Sequence, residues 1–302
     1  NYARELFELH TLGAQVFGAA DATAAYTEED VKAAAQVFSG WSFGYGQAVA
    51  GRVEKLANTG EFMFVPEWHV AGEKLVLGTK IADSGVLEGE TLLSILARHP
   101  STANNLAFKL CKRFISEAPP AALVQFVADS WTANADATDQ IAKVMRVLIA
   151  ESVKYEAQIK FRRPQDYMLA VMRPVRGYVR ITPDFTYTVA KTGHRLFAWP
   201  SPDGYPDIEA AWLSRDQLNS RFNIVIYMLL ANHRFGESFF NPQAWSELAE
   251  QFVTIYATES GLQSRFNVNW PEFDYGTRQN KFFEAMRDTL YRAFLHPHMQ
   301  YR

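Results

Sequence analysis

Leu92-Leu93-Ser94-Ile95-Leu96-Ala97-Arg98-His99-Pro100-Ser101-Thr102-Ala103-Asn104-Asn105-Leu106-Ala107-Phe108-Lys109-Leu110 carries two helical patterns on either side of a single break. From Glu88 to Arg98 the leucines at 92, 93 and 96 recur at helical spacing. His99-Pro100-Ser101 then breaks the pattern, because proline suits only the first turn of a helix. A second helix follows through Leu106, Leu110 and Phe114. Working outward, Pro119-Pro120 opens a third helix with Leu123, Phe126, Val127 and Trp131 on one face, and Ile141, Val144, Met145 and Leu148 mark a fourth. Toward the N-terminus, Thr27 and Asp30 are spaced as a capping box and start a helix that ends near Ser39-Gly40. Further helices are expected near 164–173, 184–192, 214–232, 241–257 and 278–295. Phe62–Val65 and Lys74–Leu77 flank the turn-rich Ala71-Gly72-Glu73 and are expected to pair as a small hairpin. The Ala-rich Gly18–Ala25 reads as a surface loop. No repeat and no flexible linker divides the chain, so the expectation is one mostly α, multi-helix domain over 1–302 with one small β-hairpin.

Composition narrows the function by exclusion. The 302 residues are 48% hydrophobic and 21% charged with a formal net charge of -3, as in ordinary globular proteins. A chain of this length buries roughly 75% of its unfolded surface and needs no crosslink or metal to hold a core. One cysteine, Cys111, excludes an internal disulfide framework and multi-cysteine metal cages. Thirty basic against 33 acidic residues leave no electrostatic footprint for nucleic acid. The longest apolar run, Ile224–Ala231, is far short of the ~20 residues a bilayer helix needs, so no transmembrane segment is expected. No Gly-x-Ser-x-Gly, Walker-type loop or His-Glu-x-x-His is present.

The opening residues read as a helix already under way. Tyr2, Leu6, Leu9 and Gly13 share one stripe, with Arg4 and Glu8 opposite as an i,i+4 ion pair. A helix starting without a cap reads as a processed chain or a fragment.

Candidate chemistry is thinly spread. Glu5, Glu8 and His10 include metal-ligating types, but Glu8 and His10 lie about 200° apart on an α-helix and cannot share one ion. Glu5 and His10 border the apolar stripe, where each is expected to anchor a polar network. His99 is expected to cap or orient the helix corner, its alternative being a base or ligand at a positive helix end. His69 sits in the hairpin turn, where function concentrates. Trp199-Pro200-Ser201-Pro202-Asp203-Gly204-Tyr205-Pro206-Asp207 is the most distinctive non-helical segment. Its prolines stiffen the backbone, Trp199 and Tyr205 offer flat faces, and Asp203 and Asp207 offer carboxylates to sugar hydroxyls or Ca²⁺. The alternative is a rigid loop packed on the helices. Cys111 falls among Leu106, Ala107 and Leu110 and reads as a buried small hydrophobe. Lys160-Phe161-Arg162-Arg163 reads as a solvated basic face.

Five ordered blocks together resemble a known family. They are Asn1-Tyr2-Ala3-Arg4-Glu5-Leu6-Phe7-Glu8-Leu9-His10-Thr11-Leu12-Gly13; Tyr26–Val31 with Ser39-Gly40-Trp41; Gly72-Glu73-Lys74 with Leu77-Gly78; Ala97–Ala103 with Lys109-Leu110 and Arg113-Phe114; and Trp199–Asp207 with Ala211-Trp212-Leu213-Ser214. The ending His298-Met299-Gln300-Tyr301-Arg302 is similar too. The resemblance is to the large bacterial domain-of-unknown-function family numbered 1800, and in it the first block lies in the interior, implying that this chain is the C-terminal part of a longer protein. It also implies export, hence a periplasmic or extracellular location, and a neighbouring exported protein similar to alkaline phosphatases. It implies no reaction, cofactor or metal. Two positions depart from the family pattern: His69 is followed by Val70 instead of Asp, and Gly193 by His194 instead of Gln.

Two functions are therefore expected to compete. One is an accessory or assembly component that binds a partner protein or surface glycan, the partner being its own N-terminal segment or the exported alkaline-phosphatase-like neighbour. The other is a hydrolase of an extracellular polymer, with or without a metal, in which Glu5, His10, His69 and His99 converge.

Overall fold

The computed structural model describes residues 1–15, 23–50, 52, 55–155, 160–173, 183–230, 295 and 297–301. The expected helices at 241–257 and 278–295, and most of the Ala-rich loop, lie outside them. The chain divides into two compact units, Asn1–Gln158 and Ile159–Arg302. No change in composition marks that boundary in the sequence.

The N-terminal unit begins with a short helix, α1 (Tyr2–Glu5), that widens into a π turn over Leu6–His10. The widening changes which residues meet. Ala3, Leu6, Phe7 and Leu12 are buried, and Arg4 pairs with Glu28 at 2.7 Å in place of the expected Glu8. A register with bonds five residues apart does not keep the α-helical neighbours one above another. Helix α2 (Glu28–Val37) starts at the expected box: Asp30 N–H donates to Thr27 Oγ1 at 3.1 Å and Thr27 N–H to Asp30 Oδ2 at 2.9 Å. It stops at Phe38-Ser39-Gly40, where Gly40 takes φ +83°.

Four short strands follow, and their pairing differs from the expectation. β1 (Trp41–Phe43) pairs antiparallel with β2 (Phe62–Phe64), and β3 (Lys74–Val76) pairs with β4 (Thr79–Ile81). The small hairpin is thus β3–β4, closed by Leu77 and Gly78 at φ +50° and +71°, the left-handed pair that suits the twist of a two-residue turn. The Ala71–Glu73 turn joins no paired strands. Asp30 Oδ1 accepts the Leu77 N–H at 2.6 Å, so the capping residue of α2 also holds the hairpin tip.

Helices α3 (Val86–Arg98) and α4 (Pro100–Phe114) form the predicted corner, followed by α5 (Ala121–Ala133) and α6 (Gln140–Ser152). Leu92 and Leu96 are fully buried against Phe7, Val37, Val76 and Ile81. Burial of such side chains stabilises by about 1.5–3 kcal/mol each. A second core joins Ala103, Ala107 and Cys111 of α4 to Leu123, Val127, Val144 and Leu148 of α5 and α6. Phe114, Phe126 and Ile141, expected on core faces, are exposed. Burial pushes the Cys111 thiol up to about 11, which keeps it protonated and inert.

In the C-terminal unit, α7 (Pro164–Met172) and α8 (Pro183–Ala190) both pack on α9 (Arg215–Leu230). Residue Phe161 bridges to Tyr301. No helix among the described residues is long and apolar enough to cross a membrane.

Candidate functional site

In the N-terminal unit the ionisable side chains gather around Glu88. Gly85 at φ +63° ends the approach to α3, which puts Glu88 in the first turn. A carboxylate there is favoured by the helix dipole and can reach back to the free N–H groups before the helix. Glu88 Oε1 accepts the Ser84 N–H at 3.1 Å and faces His69 Nε2 at 2.9 Å. Its Oε2 lies 2.7 Å from Lys74 Nζ, and the three side chains are 0%, 7% and 2% exposed for Glu88, His69 and Lys74. Burial opposes ionisation of Glu88, but the hydrogen bonds from Lys74, His69 and Ser84 outweigh it and hold the carboxyl below its ordinary range.

This arrangement imitates two kinds of active site and completes neither. Ser39 Oγ lies 3.3 Å from His69 Nδ1, so Ser39, His69 and Glu88 line up as a nucleophile, base and orienting acid would. However, Nδ1 is closer, at 2.8 Å, to the Ser39 carbonyl oxygen, which can only accept, so Nδ1 donates there and cannot take a proton from Ser39 Oγ. The Ser39 hydroxyl donates to the Gln36 carbonyl and accepts the Val70 N–H. No base is left to activate it. Likewise His69, Asp83 and Glu88 each bring a ligand atom within 4.8 Å of one another. There the ammonium of Lys74, touching Glu88 Oε2 and 3.4 Å from His69 Nε2, takes the place a cation would need. Asp83 Oδ2 accepts the Gly72 N–H. The group works as a clasp: it pins the end of α2, the 66–72 segment and β3 to the start of α3.

The other expected catalytic residues are held elsewhere. His99 caps α4, its Nδ1 accepting the Ser101 N–H at 3.1 Å, and burial lowers its pKa. It follows the last residue of α3, while Glu88 is in the first turn, which separates them by about 16 Å at 1.5 Å per residue. His10 is exposed at the end of the π turn, and Glu5 is half-buried in α1. His69, bonded to Glu88, and His99 are thus held at opposite ends of α3. His99→Ala is expected to destabilise by about 1 kcal/mol, the usual loss of a helix cap, and His99→Asn to restore most of it. Equal urea midpoints for the two variants would contradict a capping role.

In the C-terminal unit the Trp199–Asp207 loop is braced from within. Buried His194 stacks on Tyr205 and Trp212 at centroid distances of 4.3 and 5.3 Å, and Trp199 lies 4.8 Å from Tyr205. Trp199 Nε1 donates to Asp203 Oδ1 at 3.2 Å, Tyr205 Oη to the Arg195 carbonyl, and Trp212 Nε1 to the Pro206 carbonyl at 2.9 Å. Asp207 receives Lys160 and lies 3.9 Å from Arg163. Lys160 is buried, so the expected solvated basic face is an internal ion cluster instead. Burial, then the neighbouring Arg163, push the His194 imidazole down to about 4. The loop brings together all four of its expected binding residues, Trp199, Asp203, Tyr205 and Asp207, but their polar atoms bond within the unit. Just before the loop, Leu196 and Phe197, which the sequence pattern does not single out, are exposed to solvent.

No curated protein and no solved structure matches the chain. The model of one family, described as a protein of unknown function (DUF1800), matches residues 1–300, and the chain belongs to that family.

Proposed function

We propose that this chain is an accessory component of an exported bacterial assembly, periplasmic or extracellular, and that it binds a partner protein through the 195–207 loop. Phe197 carries this reading. It holds φ +57°, a region that bulky residues rarely adopt, and its ring is fully exposed. A strained backbone that presents an aromatic ring to water gains nothing for the unit itself. Leu196 beside it is half-exposed and Trp199 is 39% exposed, so the loop offers a small apolar surface on a rigid mount. Rigid aromatic anchors dominate the energy of protein interfaces.

A glycan is the weaker occupant. Sugar recognition needs polar groups beside the aromatic face, and the Trp199 indole N–H, the Tyr205 hydroxyl and the Asp207 carboxylate are already bonded within the unit. A hydrolase draws no support from residues held in separate contacts.

The family points to an exported alkaline-phosphatase-like protein as the first partner to test. Phe197→Ala is expected to weaken that complex at least 30-fold, the effect of losing a hot spot worth about 2 kcal/mol, with circular dichroism unchanged. Phe197→Gly, which accepts the left-handed backbone, is expected to bind as poorly while folding at least as well. Undiminished binding by both variants would refute the assignment of the loop. Retention on a polysaccharide gel that Trp199→Ala abolishes would move the reading to a glycan.

A further inference from the structure

We infer that the C-terminal unit contains a buried oxyanion site, built from Arg221 of α9 and Gln300, that takes a carboxylate or phosphate group. Arg221 is the largest fully buried side chain of the described residues. Its guanidinium lies over the Phe161 ring at 4.4 Å and 5.9 Å from that of Tyr167. One nitrogen, Nη1, is satisfied: it donates to the Arg162 carbonyl at 2.7 Å and to Gln300 Oε1 at 3.2 Å.

The other two nitrogens, Nε and Nη2, are buried and have no hydrogen-bond partner among the described residues, and neither has Gln300 Nε2. These three orphans share two properties. All are donors, so no rearrangement among themselves can satisfy them. And Nε with Nη2 is one of the edges of an arginine that meet two oxygens of one carboxylate or phosphate side by side. A buried donor left unmade costs about 1–3 kcal/mol, and an unpaired buried cation costs several. A two-oxygen anion on that edge, with Gln300 held against the same guanidinium through Nη1, removes these penalties together.

Among the described residues, the carboxylates of this unit face other groups. Asp166 faces Arg163, Asp207 faces Lys160 and Arg163, and Glu209 accepts the Tyr301 hydroxyl. His194, beside Arg163 and Arg221, is neutral at ordinary pH and supplies no negative charge. The start of α7 at Pro164 adds the partial positive charge of a helix N-terminus to the same neighbourhood. Burial brings the Arg221 guanidinium down to about 10, which still leaves it cationic at neutral pH.

The test is thermal unfolding of the whole chain in rising inorganic phosphate or sodium acetate, with chloride controls at matched ionic strength. The midpoint is expected to rise by several degrees and to saturate with at least one of the two anions, as for any ligand that binds only the folded state. Chloride lacks paired oxygens and is expected to do neither. A response to phosphate alone assigns the site to a phosphate group, and a response to acetate assigns it to a carboxylate. Arg221→Lys keeps the charge but loses the edge, and Gln300→Leu removes the third donor; each is expected to abolish the saturable rise. The ¹⁵Nε–¹H signal of Arg221, followed on wild-type protein, is expected to shift with the same midpoint as the stabilisation. Indifference to both anions, or a rise that Arg221→Lys and Gln300→Leu retain, would overturn the site.

Discussion

Glu88→Gln is expected to destabilise the N-terminal unit by about 3–5 kcal/mol, the range for removing one partner of a buried charge pair. The substitution keeps shape and volume, so no cavity contributes. What it removes is the negative charge between two groups with almost no access to water, Lys74 at 2% exposure and His69 at 7%. The new amide also brings a donor where a second acceptor stood, against an ammonium 2.7 Å away. In urea the transition of this unit should move to clearly lower concentration, and a change under about 1 kcal/mol would show that the carboxylate is not what holds the clasp.

The sign with pH follows from the direction of the shift. The folded-state carboxyl is lowered from 4.5, so its contribution is fully present above the unfolded value and is lost as pH falls through the folded one. The wild-type chain should therefore lose stability below about pH 4.5 more steeply than Glu88→Gln. A cycle separates charge from packing. Lys74→Met with Glu88→Leu removes both ends of the shorter ion pair of the clasp, and the double variant is expected to be more stable than Glu88→Leu alone. If the clasp were instead the support of a catalytic centre, no such recovery would restore what the single variants lose.

Much of the N-terminal unit could be read in the sequence because its signals are local. Thr27 and Asp30 are three residues apart, and His99 meets Pro100 directly; both instructed the backbone as expected. Strand pairing was less legible. The two nearest apolar runs, Phe62–Val65 and Lys74–Leu77, are expected to pair, but Leu77-Gly78 closes a tighter turn, and β2 pairs instead with a strand 19 residues before it. The clasp leaves a trace in the sequence. In a strand that buries alternate residues, Lys74 is in phase with fully buried Val76 and out of phase with exposed Leu75, so an inward lysine required an acid. Glu88, three residues after a positive-φ glycine, is where a carboxylate would serve both a helix start and that lysine. Arg221 offered no such trace. Its partners are 59 and 79 residues away in sequence, and no periodicity reports a contact of that kind.

Gly89→Ala, one residue beyond Glu88, sets two effects against each other, and their sizes decide the sign. Inside a helix, alanine is favoured over glycine by about 1 kcal/mol, so the substitution would ordinarily stabilise α3. Here the added methyl would stand 2.5 Å from Cε2 of Trp41 and closer still to Cζ2. Real carbon contacts begin near 3.5 Å, so either the indole or the helix must move. The indole has little freedom: it stacks edge-on against Phe38 at 5.2 Å and Phe62 at 5.1 Å, and its own strand is tied to β2. Moving the helix instead would draw Glu88 away from Lys74 and His69. Overpacking of this kind costs 1–3 kcal/mol or more, and with the clasp adjacent the upper end is expected, leaving Gly89→Ala destabilised by about 2 kcal/mol after the helical gain. Adding Trp41→Leu to Gly89→Ala opens the space and is expected to cost less than the two single changes together, because the second change removes what the first collides with. Additive losses would mean that Trp41 yields freely and that the glycine is not what allows β1 to lie against α3.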